Sequence, residues 1–151
     1  LEKATKESIV QRLKEAGLKA TSQRLAVIEA FIELKGLHPG AGLVYEKAKK
    51  KKKSLSLSTV YAALNELSRL GIIKTIQFDQ MENRYEGNLE EHVNLICGKC
   101  GRITDYKDLI IIDLKEVAKR TDFLITGTRL EYYGYCSECR KVENKTKGPR
   151  T

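Results

Sequence analysis

In SLSTVYAALNELSRLG, residues 56–71, Ser56 stands where a helix N-cap belongs and Gly71 where a helix stops. At ~100° per residue, Leu57, Val60, Ala63, Leu64, Leu67 and Leu70 fall on one arc. The opposite face carries Ser58, Tyr61, Ala62, Asn65 and Arg69, with Glu66 at its edge. That face is short, hydroxyl- and amide-bearing, and nearly free of acid. Such a surface tolerates phosphates and reaches base edges in a major groove. The pattern alone serves a solvated surface helix equally well, so its neighbours must decide.

Upstream, residues 5–16 read as a helix carrying Ile9, Val10 and Leu13 and stopped at Gly17. Thr21 reads as the N-cap of a second helix, with Leu25, Ile28 and Ile32 on one face. LHPG, residues 37–40, breaks it. A third helix runs from Ala41 into the lysines at 49–53, which offset the macrodipole at a helix C-terminus. That run reads as a solvated helix end, with phosphate contact as the other reading. Downstream, IIKTIQFDQMENRYEG, residues 72–87, gives two β-prone runs, 72–78 and 84–86, around a polar turn at 79–83. Helices ending in one with a polar outer face, then a hairpin, predict a winged helix-turn-helix DNA-binding domain over residues 1–87.

Composition shifts at GNLEE, residues 87–91, which predicts a hinge at 88–91. Beyond it, 92–97 and 102–106 read as strands flanking CGKC. Residues 108–121 read as a helix, whose run 109–112 plus Leu114 and Val117 is too apolar to be exposed. Residues 123–135 read mostly as a strand, with Leu130 and Tyr132 on one face and Arg129 and Glu131 on the other. The expectation is an α+β chain whose second part, 92–151, is a small α/β domain. A domain so small often needs a metal or a partner.

The four cysteines form two CxxC pairs, Cys97/Cys100 and Cys136/Cys139. Four thiolates can close a tetrahedral shell around Zn²⁺ and leave no open position, which makes a structural site. Disulfides and CxxC redox chemistry are the alternatives. A redox pair needs a thiolate favoured by a helix N-terminus, and neither pair leads directly into a helical pattern. The only histidines are His38 and His92. With the sulfurs committed to zinc, His92 is free to serve a second metal with carboxylates such as Glu86 and Asp105. A mixed nitrogen and oxygen site suits Fe²⁺, Mn²⁺, Co²⁺ or Zn²⁺.

Bulk properties agree with a polyanionic partner. The 151 residues carry a net charge of +8, with 28 Lys+Arg against 20 Asp+Glu. No apolar run reaches the ~20 residues of a membrane span, and residue 2 is already charged, so a cytoplasmic protein is expected. No nucleophile–base arrangement or phosphate-cradling glycine loop points to an enzyme.

Several stretches match one family in order and spacing. They are GLKATSQR (17–24), His38, LSTVYAALNEL (57–67), NRYE (83–86), HVNLICGKCG (92–101) and LEYYGYCSEC (130–139). From about residue 10 to 140 the chain resembles the ferric uptake regulator (Fur) family of metal-responsive transcription regulators. The resemblance implies a homodimeric repressor on double-stranded, palindromic operator DNA. It also implies a second domain that dimerises, with structural Zn²⁺ on Cys97, Cys100, Cys136 and Cys139. A regulatory divalent metal (Fe²⁺, Mn²⁺ or Zn²⁺) maps to His38, Glu86, His92 and Asp105, with Asn94 where the family usually has a histidine. DNA contacts map to Lys19, in a minor groove, and Tyr61; Ser58, Asn65 and Arg69 share the Tyr61 face. Ala62 stands where a larger polar or basic residue is common. The family's further metal site lacks its histidines here, where the chain has Glu91, Val93 and Thr128. Both histidines that peroxide-sensing members oxidise through bound iron have counterparts, His38 and His92, and Asp105 leans towards that branch. Glu86 leans away from it, so metal homeostasis and peroxide sensing both stay open.

Overall fold

The computed structural model of the chain describes residues 5–108 and 112–146. It divides into two compact units, Leu1–Glu90 and Glu91–Thr151.

The first unit orders its elements as α1 (Lys6–Glu15), α2 (Ser22–Leu34), a 3₁₀ turn (Lys35–Leu37), α3 (Ala41–Lys51), α4 (Leu57–Arg69), β1 (Lys74–Ile76) and β2 (Arg84–Glu86). Local chemistry sets the starts. Thr5, Thr21 and Ser56 each accept a backbone N–H three residues on, at α1, α2 and α4 respectively. Removing such a cap costs about 1 kcal/mol, so Ser56→Ala is expected to lower the unit's unfolding free energy by roughly that amount in urea. Gly71 ends α4 at φ +64, a left-handed conformation that glycine adopts without a side-chain clash. β1 and β2 pair antiparallel with Thr75 opposite Tyr85, which makes the wing.

Helix burial explains why the helices pack as they do. Val60, Ala63, Leu64 and Leu67 of α4 join Val27, Ile28 and Phe31 of α2, Val44 of α3, Ile9 and Leu13 of α1, and Tyr85 of the wing. Leu64 is fully buried, so Leu64→Ala should cost about 2–5 kcal/mol. Two expectations shift. Leu57 is 41% exposed, because it opens α4 before the helix meets the core. On α2 the fully buried positions are Ala26, Val27, Ile28, Ala30 and Phe31, while Leu25 and Ile32 are half-buried. That helix touches α1, α3 and α4 together, so it is covered on more than one side.

The lysine run is less free than a solvated helix end. Lys51 reaches Glu33 at 2.6 Å and Glu29 at 3.3 Å on α2, and Lys47 reaches Glu33 at 2.9 Å. Lys49 donates to the Tyr45 hydroxyl at 2.7 Å. Hydrogen bonds from Lys51 and Lys47 hold the Glu33 carboxyl at about 2. A depressed carboxyl stabilises the fold above its ordinary value and loses that contribution as pH falls. Acid between the ordinary carboxylate range and pH 2 should therefore loosen the α2–α3 pairing, modestly, because these groups face water.

The second unit holds β3 (Val93–Cys97), β4 (Ile103–Tyr106), α5 (Leu114–Thr121), β5 (Glu131–Gly134) and α6 (Ser137–Thr146). The sheet order is β4-β3-β5, antiparallel on one side of β3 and parallel on the other. A parallel neighbour needs a long crossover, and the segment containing α5 supplies it. The predicted helix over 108–121 begins only at Leu114, because Asp113 caps it by accepting from Lys115 and Glu116 N–H. Of its apolar run, 109–111 lie outside the described residues, and Ile112 and Val117 are exposed. The predicted strand over 123–135 contracts to Glu131–Gly134, with Phe123 and Leu124 exposed. The sequence reading did not anticipate α6. Among the described residues the unit's buried hydrophobics are Val93, Ile96 and Cys97, a slender core. Leu95, Tyr132, Tyr133 and Tyr135 are exposed, a run of apolar surface of the kind that marks an interface.

Candidate metal centres and nucleic-acid interface

The β3–β4 turn and the end of β5 bring the two CxxC pairs together. Cys97 N–H donates to the Arg102 carbonyl and Gly101 N–H to the Cys97 carbonyl, which folds the first knuckle. Gly98 N–H donates to the Gly134 carbonyl, which ties that knuckle to β5 and hence to Cys136. All four Sγ atoms lie within 4.8 Å of one another. Cys100 Sγ and Cys136 Sγ are 3.8 Å apart. A tetrahedron with ~2.3 Å zinc–sulfur bonds has sulfur–sulfur edges of roughly 3.8 Å. A disulfide needs ~2.05 Å, and all four cysteines are free thiols. The sulfurs therefore fit one closed zinc site.

Their protonation tells the same story. Backbone N–H groups of Cys100, Cys136 and Lys99 bring the Cys97 thiol down to about 6. Lost water contact and the neighbouring sulfurs push Cys139 up to about 12. Four thiolates so close repel one another and require a cation at their centre. The sequence expectation that neither pair leads into a helix fails for the second pair. Cys136 directly precedes α6 and Cys139 lies in its first turn, so the second pair does lead into a helix. The Cys139 backbone N–H lowers the Cys136 thiol. The redox alternative loses ground on geometry instead, because both pairs converge on one point.

In the first unit, His38 and Glu86 meet. His38 follows the 3₁₀ turn with φ 47 and ψ 62, the left-handed region, which costs a non-glycine residue about 1–2 kcal/mol. Tyr85 N–H donates to the Pro39 carbonyl at 2.9 Å, and Gly40 forms an antiparallel bridge with Arg84. These bonds set the 38–40 segment beside β2. His38 Nε2 consequently lies 3.4 Å from Glu86 Oε1, both side chains nearly buried. A strained backbone at a buried imidazole–carboxylate pair points to function rather than packing.

In the second unit, Asn94 on β3 sits directly opposite Asp105 on β4. His92 precedes Asn94 by two residues, so the alternation of an extended chain puts both on one side. His92 and Asn94 are 7% and 6% exposed. The sheet thus places an amide oxygen opposite a carboxylate, with the nearly buried imidazole of His92 just ahead of β3.

The proposed DNA face of α4 lies open. Ser58, Tyr61, Ala62, Asn65 and Arg69 are all exposed, as is Lys19 ahead of α2. Ser58 bonds the capping Ser56 at 2.9 Å, and Arg69 reaches Glu66 at 2.5 Å one turn back. Tyr61 is 37% exposed, and its hydroxyl lies 3.4 Å from Glu82 Oε1 in the wing turn. Partial desolvation and that carboxylate push the phenol above its ordinary value. Sequence reasoning took residues 79–83 for a generic polar turn and missed Glu82. An acid in the wing of a basic protein was the available signal.

A winged helix with an acid-poor outer helix, in one chain with a four-thiol site, defines a metal-binding DNA regulator. The family model described as the ferric uptake regulator family matches residues 15–133. The peroxide-responsive repressor PerR of Staphylococcus epidermidis is 32% identical over 139 residues, spanning 91% of this chain and 92% of that repressor. The Helicobacter pylori ferric uptake regulator Fur, whose structure is described as revealing three functional metal binding sites, is 29% identical with a TM-score of 0.74, covering 93% of this chain and 97% of that one. The Campylobacter jejuni peroxide stress regulator is 33% identical with a TM-score of 0.62, covering 86% of this chain and 98% of that one. The chain belongs to the ferric uptake regulator family of metal-responsive transcription regulators, α+β proteins with an N-terminal DNA-binding and a C-terminal dimerisation domain. Among the described residues no helix is long and apolar enough to cross a membrane.

Proposed function

We propose that this protein is a homodimeric, metal-dependent repressor acting inside the cell on palindromic operators. Zn²⁺ on Cys97, Cys100, Cys136 and Cys139 holds the dimerisation domain, residues 92–151. A regulatory divalent metal takes His38 and Glu86 from the DNA-binding domain, residues 1–87, and His92 and Asp105 from the second domain, across a hinge at 88–91. The observation that carries this reading is the buried His38–Glu86 pair on a strained backbone, in a chain whose family responds to metal. Asn94 offers a neutral amide oxygen where imidazole is usual, a weaker donor for Fe²⁺ or Zn²⁺. Regulatory affinity should therefore be modest. The test is operator binding by the zinc-loaded protein with and without added Fe²⁺, Mn²⁺ or Zn²⁺. Equal binding in every case rejects metal control.

The DNA contacts divide by role. Lys19 acts through groove and phosphate charge, so Lys19→Ala should weaken binding on all sequences and reduce the salt slope by about one ion per monomer. Tyr61 sits on the recognition helix with Ser58, Asn65 and Arg69. Tyr61→Ala should cost about 1–3 kcal/mol on the operator and much less on random duplex. Equal losses on both duplexes would mean that Tyr61 reads no sequence.

A further inference from the structure

Glu82 reaches the recognition helix from the wing turn, and two contacts and one open space define where it sits. Its Oε1 accepts the Gly42 N–H at 2.7 Å, in the first turn of α3. The same oxygen lies 3.4 Å from the Tyr61 hydroxyl. Its Oε2 lies where a side chain at position 40 would begin: a Cβ built on Gly40 comes within 2.2 Å of it.

These contacts explain one another. First-turn amides of a helix have no intrahelical acceptor, and negative charge is favoured there. Gly40, the N-cap of α3, supplies no side-chain acceptor. Glu82 supplies it from forty residues away, and the bare α-carbon of Gly40 leaves the room. The carboxylate is thus held by a short backbone bond, and Tyr61 meets an acceptor already in place.

The consequence is chemical. A phenol has one proton to donate. At 3.4 Å the contact is long for such a bond, so Glu82 steers that proton inward rather than capturing it, and Tyr61 offers outward mainly its ring and oxygen lone pairs. A phosphate accepts hydrogen bonds and is anionic, so it gains nothing from those lone pairs and is repelled by the carboxylate behind them. A base-edge donor, adenine N6 or cytosine N4, suits a lone pair, and a thymine methyl suits the ring. We infer that Glu82 is a positioning residue that turns Tyr61 towards a base and denies it to the phosphate backbone. This rests on the proposed operator-binding role.

The experiment uses full-length, zinc-holding, metal-loaded protein and an operator selected from a pool of random duplexes. Affinity is measured for that operator and for random duplex. Glu82→Ala should lower the operator-to-random ratio about tenfold, with random binding slightly tighter because a charge is gone. Glu82→Gln keeps an acceptor oxygen and should stay within about twofold of the wild-type ratio. Gly40→Ala should expel the carboxylate with its charge intact and lower the ratio as Glu82→Ala does. In free protein with ¹³C-labelled tyrosine, the raised titration of Tyr61 should fall towards that of an ordinary phenol in Glu82→Ala. Equal change of both affinities in Glu82→Ala, downwards or upwards, overturns the inference, as does a Tyr61 titration that does not move. An operator preference left intact by Glu82→Ala overturns this inference alone. A wild type that selects no operator overturns the parent reading with it.

Discussion

Cys97→Ser is expected to yield protein without bound zinc and without a dimer. The expectation follows from the slenderness of the second unit, whose described buried hydrophobics are three residues. Structural zinc in small metal-folded domains contributes about 10–16 kcal/mol. A whole domain is stable by only about 5–15 kcal/mol. Losing one thiolate therefore removes a term as large as the stability it supports. Cys136→Ser should behave alike, because Cys136 joins the same cluster of sulfurs. The checks are zinc content by mass spectrometry and mass by light scattering. The first unit should survive, since its core of Phe31, Leu64, Leu67 and Tyr85 contains no cysteine. A zinc-free variant that remains dimeric and fully stable rejects the structural role.

His38→Ala is expected to keep zinc and dimer while losing most of the metal response on operator DNA. Tight metal binding alone switches nothing; a ligand shifts an equilibrium only by its different affinity for the two states. If His92 and Asp105 held the metal unaided, the DNA-binding unit would not sense it. In the proposed switch, His38 and Glu86 are the ligands through which it would. Coupling energies between sites typically amount to about 5–150-fold in affinity, and His38→Ala should remove that factor. Asn94→His should raise the affinity for the regulatory metal by restoring an imidazole. If bound iron also senses peroxide, oxidation should add mass to the peptide carrying His38 or His92, and not to the cysteines. A full metal response in His38→Ala ends the switch mechanism.

Legibility in the sequence followed the range of the forces involved. α4 was readable end to end, because Ser56, its apolar arc and Gly71 are local signals that agree. The capping of α2 by Thr21 was readable for the same reason. The wing was readable as two short β-prone runs around a polar turn, although the first contracts from the expected 72–78 to Lys74–Ile76. The four cysteines were readable because CxxC spacing reports ligand geometry directly. Long-range order was not. The start of α5 was misplaced because Asp113 competes for the first-turn amides, while the preceding apolar run suggested a longer helix. The extent of β5 was overread because alternation around Leu130 was extended to Phe123. α6 escaped because SECRKVENKT is a charged sequence with little apolar periodicity. Glu82 showed in the sequence only as an acid in the wing turn, and its role stayed hidden because its partners Gly42 and Tyr61 lie 40 and 21 residues away.

The place of Cys136 at the foot of α6 has a bearing on the lifetime of the protein. Ten residues are too few for a helix to persist in water unaided; isolated helices shorter than about 12–15 residues are marginal. The sequence of α6 is charged along its length, and zinc on the four thiols would anchor Cys139 in its first turn. When zinc leaves, the clasp that starts this helix opens, and the peptide bonds after Arg140 and Lys141 become accessible to cleavage. Trypsin should cut there first in chelator-treated protein and slowly in the zinc-loaded form. Thiol oxidation or zinc starvation would then be read out by proteolysis, and the regulator would be cleared from the cell rather than merely released from DNA.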